Sequence, residues 1–127
     1  MTHRAAPPID LTLERTIQAD VVELYTRLGC SVKPTAGGRQ RGTRNAPGMP
    51  DLYVFPPVRR GLRGNNSWLQ EQPFWHETKT PTGVQSDLQA WWQYECEQRG
   101  VGYVLGGVEP AIAYARAIGL IANPGRA

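Results

Sequence analysis

The chain has 127 residues, a formal net charge of +3 and a hydrophobic share of 40%. That length fits one domain, and that composition excludes a globally disordered chain. No apolar run approaches the roughly 20 residues of a membrane helix, and the first residues lack the apolar centre of a secretory signal. Cys30 and Cys96 stand far apart and in no Cys-x-x-Cys spacing, so a zinc ribbon or disulfide framework is excluded as well. The expectation is a cytoplasmic protein with two reduced, part-buried thiols.

Residues 1–9 read as a Pro-rich polar arm, residues 10–122 as one domain and residues 123–127 as a tail. A helix is predicted over residues 11–28. Leu13, Ile17, Val21, Leu24 and Leu28 form its apolar stripe, Asp10 or Thr12 caps its start, and Gly29 ends it. A short strand follows over residues 30–35. Residues 36–48 form a glycine-rich loop with Arg39, Arg41 and Arg44. A second strand spans residues 51–55, with Leu52 and Val54 facing the helices and Asp51 and Tyr53 facing the other way. Residues 56–72 make a long connection carrying Arg59, Arg60 and Arg63; a third strand spans residues 74–80.

Ser86 opens a helix that runs to Arg99 and stops at Gly100, and Ser86-x-x-Gln89 spells a capping box. Leu88, Trp92 and Cys96 set its buried stripe. Adjacent Trp91 and Trp92 cannot both face one core. A fourth strand over residues 101–105 and a helix over residues 109–120 complete the order α-β-β-β-α-β-α. That order predicts an α/β fold, a mixed central sheet flanked by helices.

Three residues in this pattern suggest chemistry. Glu77 and Lys79 are two apart on one predicted strand and so share a face. Asp51 begins the preceding strand. Antiparallel pairing of the two would gather Asp51, Glu77 and Lys79 at one edge of the sheet. Two carboxylates with open coordination positions suit Mg²⁺, with Mn²⁺ as a substitute, and an amine beside them can orient water or stabilise phosphoryl charge. Such a trio suits cleavage of a phosphodiester. The charge pattern agrees: residues 33–63 hold seven basic residues and one acidic, a net +6, and leave −3 for the rest. Arg39, Arg41, Arg44, Arg59, Arg60 and Arg63 are therefore read as candidate DNA contacts, against the alternative of solvated loops. His76 points away from Glu77 and is expected to be a hydrogen-bonded structural residue.

Pro50-Asp51 followed by Glu77-Thr78-Lys79 resembles the signature of PD-(D/E)xK nucleases. Gly48-Met49-Pro50-Asp51-Leu52, Glu77 to Gly83, Ser86-x-x-Gln89-x-x-Trp92 and Gly100-x-x-Tyr103 resemble the virus-type replication-repair (VRR-NUC) branch. The resemblance runs over residues 14–119. His76 and Thr78 depart from it, since the branch prefers aliphatic residues there. It implies a restriction-endonuclease-like core, metal binding by Asp51, Glu77 and the carbonyl of Thr78, and a catalytic Lys79. It further implies that Glu14 reaches the site from the first helix, although a solvated glutamate near a helix N-terminus reads equally well. Gln18, one turn further along, is a weaker candidate for the same region. For Gln89 the resemblance implies a site role beside the capping role. Small members of the branch pair into dimers and cut branched DNA such as Holliday junctions, so the resemblance implies DNA and a second copy as partners. The alternatives are a nuclease for flaps, single strands or a restriction-like target, or an inactive DNA-binding module of the same fold.

Overall fold

The structure, a computed structural model, describes residues 11–35, 47–58 and 72–122. The elements are α1 (Leu11–Arg27), β1 (Ser31–Pro34), β2 (Leu52–Phe55), β3 (Phe74–Glu77), α2 (Asp87–Arg99), β4 (Gly102–Leu105) and α3 (Val108–Ala117). The predicted order is reproduced. The strands form one sheet in the order β1-β2-β3-β4, with the first two pairings antiparallel and β3–β4 parallel. This is a mixed α/β fold, as expected. The six loop arginines Arg39, Arg41, Arg44, Arg59, Arg60 and Arg63 lie outside the described residues, as do the arm and the tail.

Sheet register assigns the two faces. Leu52 pairs with His76 and Val54 with Phe74, so these four share one face, joined by Val104. Against it pack α1 and α3. Tyr25 meets Phe74 and His76 edge-on at 5.4 and 5.5 Å, and Phe74 meets Tyr114 at 4.5 Å. Leu52, Val54, Phe74, Val21 and Tyr25 are fully buried there. Gly102 allows the close approach: a Cβ at this position would strike the Tyr114 hydroxyl and lie 2.7 Å from Phe74 Cβ. The other face carries Tyr53, Trp75, Glu77 and Tyr103, and α2 lies over it through an edge-on Trp75–Trp92 contact at 5.5 Å.

The helix ends follow their sequence signals. Gly29 takes φ +91°, its N–H donates to Thr26 O, and the Cys30 N–H donates to Tyr25 O. This pair of bonds is a Schellman stop. Gly100, at φ +73°, ends α2 in the same left-handed region. Three expectations are corrected. Thr12 is inside α1 rather than its cap, because the helix already begins at Leu11. Leu13 is exposed, and the buried centre of α1 is Val21 with Tyr25. Leu88 is exposed as well, because only the C-terminal half of α2, around Cys96, sinks into the protein. Trp91 is the tryptophan left outside, stacked on Tyr94 at 5.3 Å. Cys30 and Cys96 are free and buried.

Candidate active site

Asp51 is held from both sides. Pro50 before it is fully buried and locks φ. Thr35 clamps this dipeptide: its hydroxyl donates to Pro50 O and its N–H to Asp51 O. On the β3 side the Thr78 N–H donates to Asp51 Oδ2 at 2.9 Å. Antiparallel pairing of β2 with β3 thus brings Asp51 beside the end of β3, where Glu77 stands. Thr35 and its clamp have no signal in the sequence, where the residue reads as the end of a short strand before a loop.

Glu77 is 2% exposed. Its Oε2 accepts from Gln89 Nε2 at 2.9 Å. Its Oε1 is buried with no hydrogen-bond partner among the described residues. Burial first, and then the charge of Asp51, push the Glu77 carboxyl up to about 8, with Lys79 opposing and Glu14 adding to the rise. Asp51 is raised too, chiefly by burial, against the Thr78 N–H that steadies its charged form. Both carboxylates therefore feel Glu14 from the first turn of α1 and Lys79 from the segment after β3. Asp51, Glu77 and Gln89, from separate places in the chain, come together through strand register and hydrogen bonds, while Glu14 and Lys79 act on the two carboxylates through their charge.

Gln89 closes the expected capping box and also reaches Glu77. Its Oε1 accepts from the Ser86 N–H at 2.8 Å and its own N–H donates to Ser86 Oγ at 3.1 Å, closing the capping box while Nε2 reaches Glu77. Tyr103, which the sequence marks only as part of the Gly100-x-x-Tyr103 motif, borders the site. Its phenol accepts from Gln85 Nε2 at 3.1 Å, and burial, then the charge of Glu77, push it up.

The third strand stops at Glu77 rather than running on to Thr80. The physical reason is that the Thr78 N–H, the next donor along the chain, is taken by the Asp51 side chain. Lys79 follows in extended chain and lines a cleft of about 650 Å³ together with Ile17, Asp20, Gln85, Leu105 and Val108. Thr78 is fully buried and its hydroxyl has no partner among the described residues. Gln18, the weaker candidate, lies in a separate groove on the outer side of α1.

His76 is structural, as expected. Its Nε2 lies 2.8 Å from Gly106 O, a group that can only accept, so Nε2 carries the proton and Nδ1 accepts from the Tyr25 hydroxyl at 2.7 Å. Burial lowers its pKa to about 4 and keeps the ring neutral.

Among the described residues, no three His, Cys, Asp or Glu side chains group to hold an ion by themselves. Mg²⁺ asks for less: one or two carboxylates, with water and phosphate completing its six oxygens. Asp51 and Glu77 fit that demand, for they are adjacent, mutually repelling, and the buried Oε1 of Glu77 lacks a donor among the described residues. Comparisons with protein-family models, with curated proteins and with solved structures return no match. Among the described residues no helix is long and apolar enough to cross a membrane.

Proposed function

We propose that this protein is a Mg²⁺-dependent DNA endonuclease with a PD-(D/E)xK core of the VRR-NUC type, acting on branched DNA. The observation that carries the reading is the buried Glu77, one oxygen unpartnered among the described residues, paired with the half-buried Asp51 and acted on by the charge of Lys79. Two carboxylates forced together at such a cost in desolvation and repulsion are explained by a cation that neutralises them.

Asp51, Glu77 and the carbonyl of Thr78 would hold the ion, which when bound supplies Lewis-acid polarisation of the phosphate and acidifies water. The chain's own residues do the rest. Asp51 is fixed by the Thr78 N–H and Glu77 by Gln89, so neither carboxylate needs to reorganise when the substrate arrives. Lys79 orients the attacking water and offsets the charge gained by the phosphoryl oxygens. Glu14 adds negative charge from α1 and strengthens the pull on a cation. The +6 segment at residues 33–63 holds the DNA backbone. A junction needs two symmetric cuts, which a two-fold dimer supplies; the exposed Trp91–Tyr94 stack is where a second copy would anchor.

The test is nicking of supercoiled plasmid with Mg²⁺ or Mn²⁺ against an EDTA control, then cleavage of a synthetic four-way junction. Ion-dependent nicking and paired cuts are expected. Binding without cleavage would identify a DNA-binding module instead. Light scattering at micromolar concentration should give twice the 14.1 kDa mass of one chain.

A further inference from the structure

One amide does two jobs in this site. Gln89 Oε1 accepts from the Ser86 N–H, and Nε2 donates to Glu77 Oε2. A backbone N–H only donates, so Ser86 fixes Oε1 on its own side and turns Nε2 toward Glu77. Asp51 is treated in the same way: its Oδ2 is taken by the Thr78 N–H. Each carboxylate thus has one oxygen held by the protein. The oxygen left on Glu77 is Oε1, buried and unpartnered among the described residues.

This division bears on which ion the pair prefers. Ca²⁺ takes six to eight oxygens and often both oxygens of a carboxylate, whereas Mg²⁺ is octahedral and is satisfied by single carboxylate oxygens plus water. We infer that Gln89 is a positioning residue that determines ion specificity: by holding Oε2 it makes Glu77 present one oxygen, and the pair then favours Mg²⁺ or Mn²⁺ over Ca²⁺. The inference rests on the reading above, that Asp51 and Glu77 hold a divalent cation, and concerns which one.

The experiment measures Mn²⁺ binding by the full metal-free chain, from the paramagnetic resonance of free Mn²⁺, with Ca²⁺ as competitor. The wild type is expected to prefer Mn²⁺. Gln89→Met keeps the side chain's length and removes the donor, so Mn²⁺ affinity should fall by about 10–100-fold, as for other outer-sphere partners. Ca²⁺ should lose less, because the freed Oε2 can join its larger shell, and the preference should narrow by at least about tenfold. An unchanged preference in Gln89→Met overturns the inference and leaves the nuclease reading standing. A wild type that binds neither ion overturns both. A second measurement guards against misfolding of the variant. In infrared difference spectra of the wild type with and without Mn²⁺, a wide separation of the two carboxylate stretches is expected, as when one oxygen binds. A narrow separation, from both oxygens of one carboxylate, overturns the inference.

Discussion

His76 and Glu77 are neighbours in β3, both are buried, and they point to opposite faces of the sheet. On the α1–α3 side every polar atom of the His76 ring has a partner, and the ring stays neutral. On the α2 side Glu77 keeps an oxygen with no donor among the described residues, faces a second carboxylate and is pushed toward its protonated form. The first arrangement is how a core accommodates a polar residue. The second is destabilising in the metal-free chain unless something outside the chain completes it. One strand therefore separates a face whose buried polar ring is fully paired from a face whose buried carboxylate is not, among the described residues.

The largest expected effect breaks the α2 side alone. Asp51→Asn, Glu77→Gln and Lys79→Ala should each lower plasmid cleavage by at least about 10²–10³-fold, the scale for losing one electrostatic contributor at an active site. Circular dichroism should show an unchanged fold. Above pH 8, Glu77→Gln should also raise the melting temperature of the metal-free chain, since it removes the repulsion of a buried charge. Full activity in any of the three would remove that residue from the site.

Affinity comes next. Replacing Arg39, Arg41 and Arg44 together by Ala should flatten the log–log salt dependence of DNA binding by roughly 0.9 for each phosphate that is no longer neutralised. The loop they belong to joins Thr35 to the Pro50-Asp51 step, both ends of which border the carboxylates. An unchanged slope would make these arginines mere surface.

The two faces should also respond to pH in opposite senses. The Glu77 pKa is raised in the folded chain from 4.5 to about 8, so its contribution to stability is fully present below 4.5 and is lost as pH rises through 8. The His76 pKa is depressed from 6.5 to about 4, so its contribution is present above 6.5 and is lost as pH falls through 4. Metal-free protein should be most stable in mildly acidic solution. Saturating Mn²⁺ should abolish the alkaline loss, because an ion bound only by the folded chain stabilises it. Glu77→Gln should diminish the same limb and spare the acid one, what remains of the limb coming from Asp51. Urea titrations across the range would show it, and a loss between pH 4.5 and 8 that is undiminished in Glu77→Gln would refute the shift assigned to Glu77.

Much of this division is legible without the fold. Strand alternation and the Pro50-Asp51 step are enough to bring Asp51 to Glu77, and Gly29, Ser86 and Gly100 mark helix ends through local chemistry. What stays hidden depends on residues far apart in the chain. Tyr25 lies outside the predicted aliphatic stripe of α1, and only the fold brings its hydroxyl to His76, 51 residues on. Thr35 looks like an ordinary strand end until its clamp on Pro50 and Asp51 is seen. Alternation carries β3 on to Thr80, and nothing local shows that a distant side chain, Asp51, takes the next ladder donor. Periodicity places Leu88 in the core, yet the N-terminal half of α2 spends its inward side on Gln89 and the site.

The smallest effect tests the stable face. Tyr25→Phe preserves the ring that packs on Phe74 and removes only the donor to His76 Nδ1. It leaves a buried acceptor without a partner, which should cost about 1–3 kcal/mol. The plasmid cleavage rate, measured well below the lowered melting temperature, should not change, because the deleted bond lies behind the sheet from Asp51 and Glu77. The pH profile of stability sharpens the point. With the Tyr25 hydroxyl gone, His76 stays buried and loses the oxygen that could accept from a protonated Nδ1, so the acid loss should not move to higher pH than in the wild type. A cleavage rate that falls tenfold while stability holds would place His76 in the site and end the division between the two faces.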